Sequence, residues 1–121
     1  MFDLEKDSKE VIQEVKICFG DLVGKEKDEA YVVLSEPDTF DAIKIKGKTK
    51  EELTKVDFLY GYFHDIFPKY LVDHSILKGG NKASNEEVCA FVFRKATIAD
   101  RLAADYFTQV FLSPQSKREG K

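Results

Sequence analysis

Two histidines sit beside carboxylates in this chain, as His64-Asp65 and Asp73-His74. A histidine paired with a carboxylate can act as a general base or help to hold a metal. Sequence neighbours on a helix point in different directions, however, and no H-E-x-x-H or similar spacing accompanies them. Both are therefore expected to be surface or capping residues. Cys18 and Cys89 are far apart and form no C-x-x-C, so they read as reduced, buried thiols rather than a bridge or a metal pair. The run Lys78-Gly79-Gly80-Asn81-Lys82 is glycine-rich, but it lacks the spacing and the preceding strand of a phosphate loop, and it reads as a turn. Lys44, Lys46, Lys48 and Lys50 form a basic cluster without arginine, followed at once by Glu51 and Glu52, which suits a solvated turn. No G-x-S-x-G or Cys–His motif is present. No catalytic residue, metal ligand or cofactor site is assigned, and the chain is expected not to be an enzyme.

The surrounding scaffold must be small. The chain has 121 residues, of which 43% are hydrophobic and 34% charged, the balance of one globular domain. Nineteen Lys and Arg against 22 Asp and Glu give a net charge of −3, which argues against a protein built mainly to grip phosphates. No run of about 18 apolar residues predicts a membrane span. Residues 1–10 carry no apolar signal-peptide core and are expected to form a flexible arm, with one domain over 11–112 and a disordered tail over 113–121. The expected location is the cytoplasm.

The elements follow from periodicity. Val15 to Phe19 alternate apolar and polar, and Tyr31 to Leu34 are β-branched or aromatic, which predicts an antiparallel hairpin with a long connection. Such a pair is marginal alone and needs a cover. The segment 37–46 is ambiguous. Ile43 and Ile45 alternate with lysines, but Ser35-Glu36-Pro37-Asp38 resembles a helix start and Gly47 a C′ glycine, so a helix is favoured. Thr49 with Glu52 then forms a capping box for a helix through Tyr60, Phe63 and Phe67, which Pro68 should end or kink. Leu71 to Leu77 reads as a short apolar connection. Ser84 with Glu87 caps the next helix, and Thr97 with Asp100 a last one ending near Phe111. A hairpin or small sheet followed by three to four packed helices is an α+β fold.

Ten Phe and five Tyr are present, and eleven of these fifteen lie between Phe58 and Phe111, on the helices. Around each long helix the apolar arc spans roughly 200°, where one buried face needs only somewhat more than 100°. Either these helices pack on two sides, or part of the arc is a partner surface. Phe58, Tyr62, Phe63, Phe107 and Phe111 are the candidate partner-binding residues, aromatics being suited to such faces.

Val15-Lys16-Ile17-Cys18-Phe19-Gly20-Asp21-Leu22, Tyr31-Val32-Val33-Leu34-Ser35-Glu36-Pro37, Leu71-Val72-Asp73-His74, Ala83-Ser84-Asn85-Glu86-Glu87-Val88 and Asp105-Tyr106-Phe107-Thr108-Gln109-Val110-Phe111 carry a resemblance. In this order, over residues 11–112, the chain resembles tail assembly chaperones of long-tailed bacteriophages and prophages. The resemblance rests on texture and order and brings no catalytic residues. It implies a non-enzymatic protein that binds the tape measure protein and keeps it soluble while the tail tube assembles. The tail tube protein and a second copy of the chain are further candidate partners, with no nucleic acid and no membrane involved. The family often makes a longer form by ribosomal frameshifting. The alternatives are a small bacterial regulatory or toxin-neutralising module and, behind it, a small enzyme using His64 or His74.

Overall fold

The computed structural model describes residues 1–5, 12–48, 50–53 and 55–112. Residues 6–10 of the expected arm, Thr49 of the expected capping box and the tail 113–121 lie outside the described residues.

Alternation builds the sheet. Strands β1 (Glu14–Cys18) and β2 (Tyr31–Ser35) pair antiparallel, with Val15 opposite Leu34 and Ile17 opposite Val32. All four side chains are buried, on one face. The long connection is made of two 3-10 turns, Gly20–Val23 and Lys27–Glu29. It closes on itself so tightly that a Cβ at Gly20 would collide with the Glu26 carbonyl.

Helix α1 (Thr39–Lys46) confirms the helical reading of 37–46, but its start differs. Ser35 continues β2, and the ladder runs on through the Glu36 N–H donating to the Gln13 carbonyl. Asp38 is the cap instead, its carboxylate accepting from the Asp41 N–H at 3.0 Å. Gly47 ends the helix at φ −85°, outside the left-handed region.

A short helix α2 (Lys50–Leu53) and the long helix α3 (Val56–Tyr70) replace the single helix expected here. Pro68 does not itself end α3 but lies within its last turn, two residues before Tyr70. The bond it forfeits is to the carbonyl of His64, and both residues are exposed, where water can satisfy that carbonyl.

The expected connection after Tyr70 is in fact a third strand, β3 (Leu71–His74), antiparallel to β2, giving the order β1-β2-β3. Leu71 faces Leu34 and His74 faces Val32, with a bulge between. Residues three apart would normally point to opposite faces. The bulge restores both to the core side and leaves Val72 outside, 51% exposed.

A small hairpin follows, β4 (Leu77–Lys78) and β5 (Asn81–Lys82). Its turn is Gly79-Gly80 at φ 60° and 87°, the left-handed pair that a tight hairpin requires. Helix α4 (Asn85–Arg94) opens with the expected box, Ser84 Oγ accepting from the Glu87 N–H and Glu87 accepting from the Ser84 N–H. Helix α5 (Ala96–Phe107) does not start at the expected Thr97 cap. Lys95 alone separates it from α4, so no room exists for a capping segment, and Asp100 accepts from the Tyr60 hydroxyl at 2.8 Å instead. A π-helical turn, Thr108–Leu112, ends the described chain.

The helices cover the inner face of the sheet, α5 packing on β1 and α3 on β2, with α3, α4 and α5 in mutual contact. Phe63, Phe67, Val88, Val92, Ile98, Leu102 and Tyr106 are fully enclosed. The Tyr106 hydroxyl finds its partner in the Ser35 carbonyl at 2.9 Å. Arg101 ties α5 to the first connection through both carboxylate oxygens of Asp21, at 3.1 and 2.8 Å. Among the described residues no helix is long and apolar enough to cross a membrane.

Candidate functional site

The wide aromatic arcs are resolved largely by packing on two sides. Phe63 is fully buried, its ring centroid 5.4–6.0 Å from those of Phe67, Phe93, Tyr106 and Phe107. Tyr62 is 6% exposed and spends its hydroxyl on the Asp41 carbonyl. These two expected partner residues belong to the core of this structure, with Tyr62 also bordering a concavity beside Phe58. Phe58, Phe107 and Phe111 are half-buried and continue the same stack outward, Phe58 against Tyr62 and Phe111 against Phe107. The side chains of Leu53 and Val56, also on the expected arc, lie outside the described residues.

The histidines part company. His64 is exposed on α3, 3.8 Å from Asp65, which is also largely exposed. His74, expected at the surface or as a cap, is buried because the β3 bulge turns it inward. Its Nδ1 accepts from the Ile76 N–H at 3.0 Å, so it does cap a turn, but from inside. Both cysteines are free and half-buried rather than buried, and burial pushes the Cys89 thiol up. Among the described residues no three His, Cys, Asp or Glu side chains converge as a metal set would.

A further concavity lies between the β4–β5 hairpin and α4. It is an open groove of about 810 Å³, lined by Ile76, Leu77 and Lys78 on one side and Glu87, Ala90, Phe91, Arg94 and Lys95 on the other, with Ala83 between. The folding logic is local. The Gly79-Gly80 turn raises a short wall, and Lys78 reaches from it to Glu87 of α4 at 2.7 Å. That ion pair, with the Ser84 N–H as second donor, holds the Glu87 carboxyl down to about 2. Small alanines form the floor while Leu77, 64% exposed, and Phe91, 39% exposed, stand free. Leu77 and Phe91 together form the apolar rim of the groove.

From Glu87 to Arg94 the groove follows α4 for about 10 Å, two helical turns. Three cations line it against one carboxylate, and among the described residues Arg94 and Lys95 have no ion-pair partner. The site thus combines an apolar floor, bulky apolar edges and a basic end on a chain of net charge −3. An amphipathic helix with an acidic flank has the complementary chemistry. Of these residues the sequence reading had identified the turn and the α4 cap but not the groove. The available signal was Phe91 one turn beyond Glu87, beside a Gly-Gly hairpin.

Comparison of the chain with protein-family models, with curated proteins and with solved structures finds no match.

Proposed function

We propose that the chain is a non-enzymatic protein-binding module, a tail assembly chaperone of a long-tailed bacteriophage or prophage, which holds helical segments of the tape measure protein. One observation carries the reading: the groove beside α4 exposes Leu77 and Phe91 over an alanine floor with a basic end. A long helical client offers repeated apolar faces, and a groove two turns long binds one such face without recognising a whole fold. The resemblance of residues 11–112 to the chaperone family supplies the client. The acidic exterior keeps the complex soluble once the client's apolar surface is covered.

Co-expression tests this. With the chaperone present, the tape measure protein is recovered soluble and co-purifies with it. With Leu77→Asp or Phe91→Asp it returns to the pellet. A tape measure protein that stays insoluble and unbound beside the wild-type chain ends the reading.

A further inference from the structure

A second concavity, of about 410 Å³, lies between α1 and α3 and shares no lining residue with the client groove. Lys44 of α1 and Lys48, just beyond the end of α1, form one side, and Phe58, Gly61, Tyr62 and Asp65 the α3 side. Those four α3 residues follow one another at steps of three, one and three, a single face of the helix.

Gly61 is the informative position. Glycine in a helix interior destabilises it relative to alanine. Glycine is usually kept there because a neighbour presses on the backbone, but a Cβ built at Gly61 meets nothing within 4 Å. Among the described residues nothing occupies the space beside it. A second helix crossing α3 at this point would.

The charges identify the helix. Lys48 lies at the Phe58 end of the notch, its Nζ 5.2 Å from the centre of that ring. Asp65 lies one turn beyond Gly61 on the other side, its side chain 81% exposed. Among the described residues Lys48 has no carboxylate partner, and Asp65 has only the adjacent His64 ring at 3.8 Å. A two-fold axis through Gly61 exchanges the two ends. Lys48 then meets Asp65 of the partner subunit, and the reverse, while the half-buried Phe58 rings flank the crossing. On α1, Phe40 lies one turn from Lys44 and is 80% exposed. A surface that is complementary to itself under a two-fold is what a symmetric dimer needs.

We infer that the α1–α3 notch is the contact between two copies of this chain, crossing antiparallel at Gly61 with reciprocal Lys48–Asp65 ion pairs.

Sedimentation equilibrium of the whole chain over a concentration series reads this directly. The wild type is expected to approach twice 13.8 kDa as concentration rises. Gly61→Leu, which fills open space and favours the helix, is expected to remain monomeric while its thermal midpoint holds or rises. The charge variants guard against a folding artefact. Lys48→Glu alone and Asp65→Lys alone each place like charges together twice and are expected to weaken self-association at least tenfold. Mixed, they make two opposite-charge pairs, and a heterodimer is expected to form. A wild type that is monomeric throughout overturns the inference. So does a dimer indifferent to Gly61→Leu, or a mixture of the charge variants that stays monomeric.

Discussion

The Tyr62 hydroxyl donates to the backbone carbonyl of Asp41 at 2.6 Å, pinning α1 to α3 from beneath. The Asp41 carboxylate does the same from its own side. Although 4% exposed, it accepts from Lys69 at 2.8 Å and from the Tyr70 hydroxyl at 2.7 Å, with Lys44 at 3.4 Å. Helix α1 turns Phe40 and Ile43 to solvent and buries little beyond Ile45 and Asp41. Its attachment is therefore polar, centred on one residue.

That attachment carries a pH signature. Hydrogen bonding from Lys69, and next from Tyr70, holds the Asp41 carboxyl down from 3.8 to about 2. A depressed carboxylate stabilises the fold fully above its unfolded value and loses that contribution as pH falls through the folded one. Urea midpoints are expected to drop between pH 3.8 and about 2. Asp41→Asn is expected to flatten that part of the profile, and Asp41→Ala to lower stability at neutral pH by about 2 kcal/mol. An unchanged slope in Asp41→Asn would show that other carboxylates govern the acid transition.

Tyr106 makes a cleaner test of a single hydrogen bond. Its ring is fully buried, and its hydroxyl donates to the Ser35 carbonyl at 2.9 Å. Tyr106→Phe keeps the packing and is expected to lose about 1 kcal/mol in urea unfolding, with no change in m-value.

Gly20 is fixed by space rather than by backbone angle. Its missing Cβ is the site of the Glu26 carbonyl, with the Lys27 carbonyl 2.9 Å away. Gly20→Ala is expected to cost about 2–3 kcal/mol and to lower the thermal midpoint by about 10 °C. Gly24→Ala nearby, where nothing lies within 4 Å but φ is +77°, tests conformational strain apart from collision.

The groove residues are expected to separate binding from stability. Leu77→Asp alters an exposed side chain and is expected to shift stability by no more than about 0.5 kcal/mol, while Phe91→Asp, at 39% exposure, is expected to cost more, about 1 kcal/mol. Each is expected to weaken client binding by more than about 1 kcal/mol, measured by titration calorimetry on a soluble tape measure fragment. Equal losses in binding and in unfolding free energy would place these residues in the fold instead.

Strands β1 and β2 were legible because one face of each is buried, so burial writes itself as alternation in Val15–Ile17 and Val32–Leu34. Strand β3 was not, because its buried residues Leu71 and His74 are three apart and only the bulge reconciles them with a pleated strand. The Ser84 box was legible since it is wholly local. The Thr97 cap failed for a tertiary reason, the direct joining of α4 to α5 at Lys95. The aromatic arcs showed that α3 and α5 have wide apolar faces. They could not show that one helix's second face is covered by the other, which turned Tyr62 and Phe63 from candidate surface into core. The groove escaped notice because it belongs to two segments, Ile76–Ala83 and Glu87–Lys95, that meet only in space.

The bulge in β3 also bears on self-restraint. β3 ends the three-stranded sheet, and a straight terminal strand is a template on which other extended chains can add. Here the ladder is broken at Val72, and Asp73 is held by Lys82 of the small hairpin at 2.6 Å. A terminal strand broken and pinned in this way offers other extended chains no straight edge on which to add.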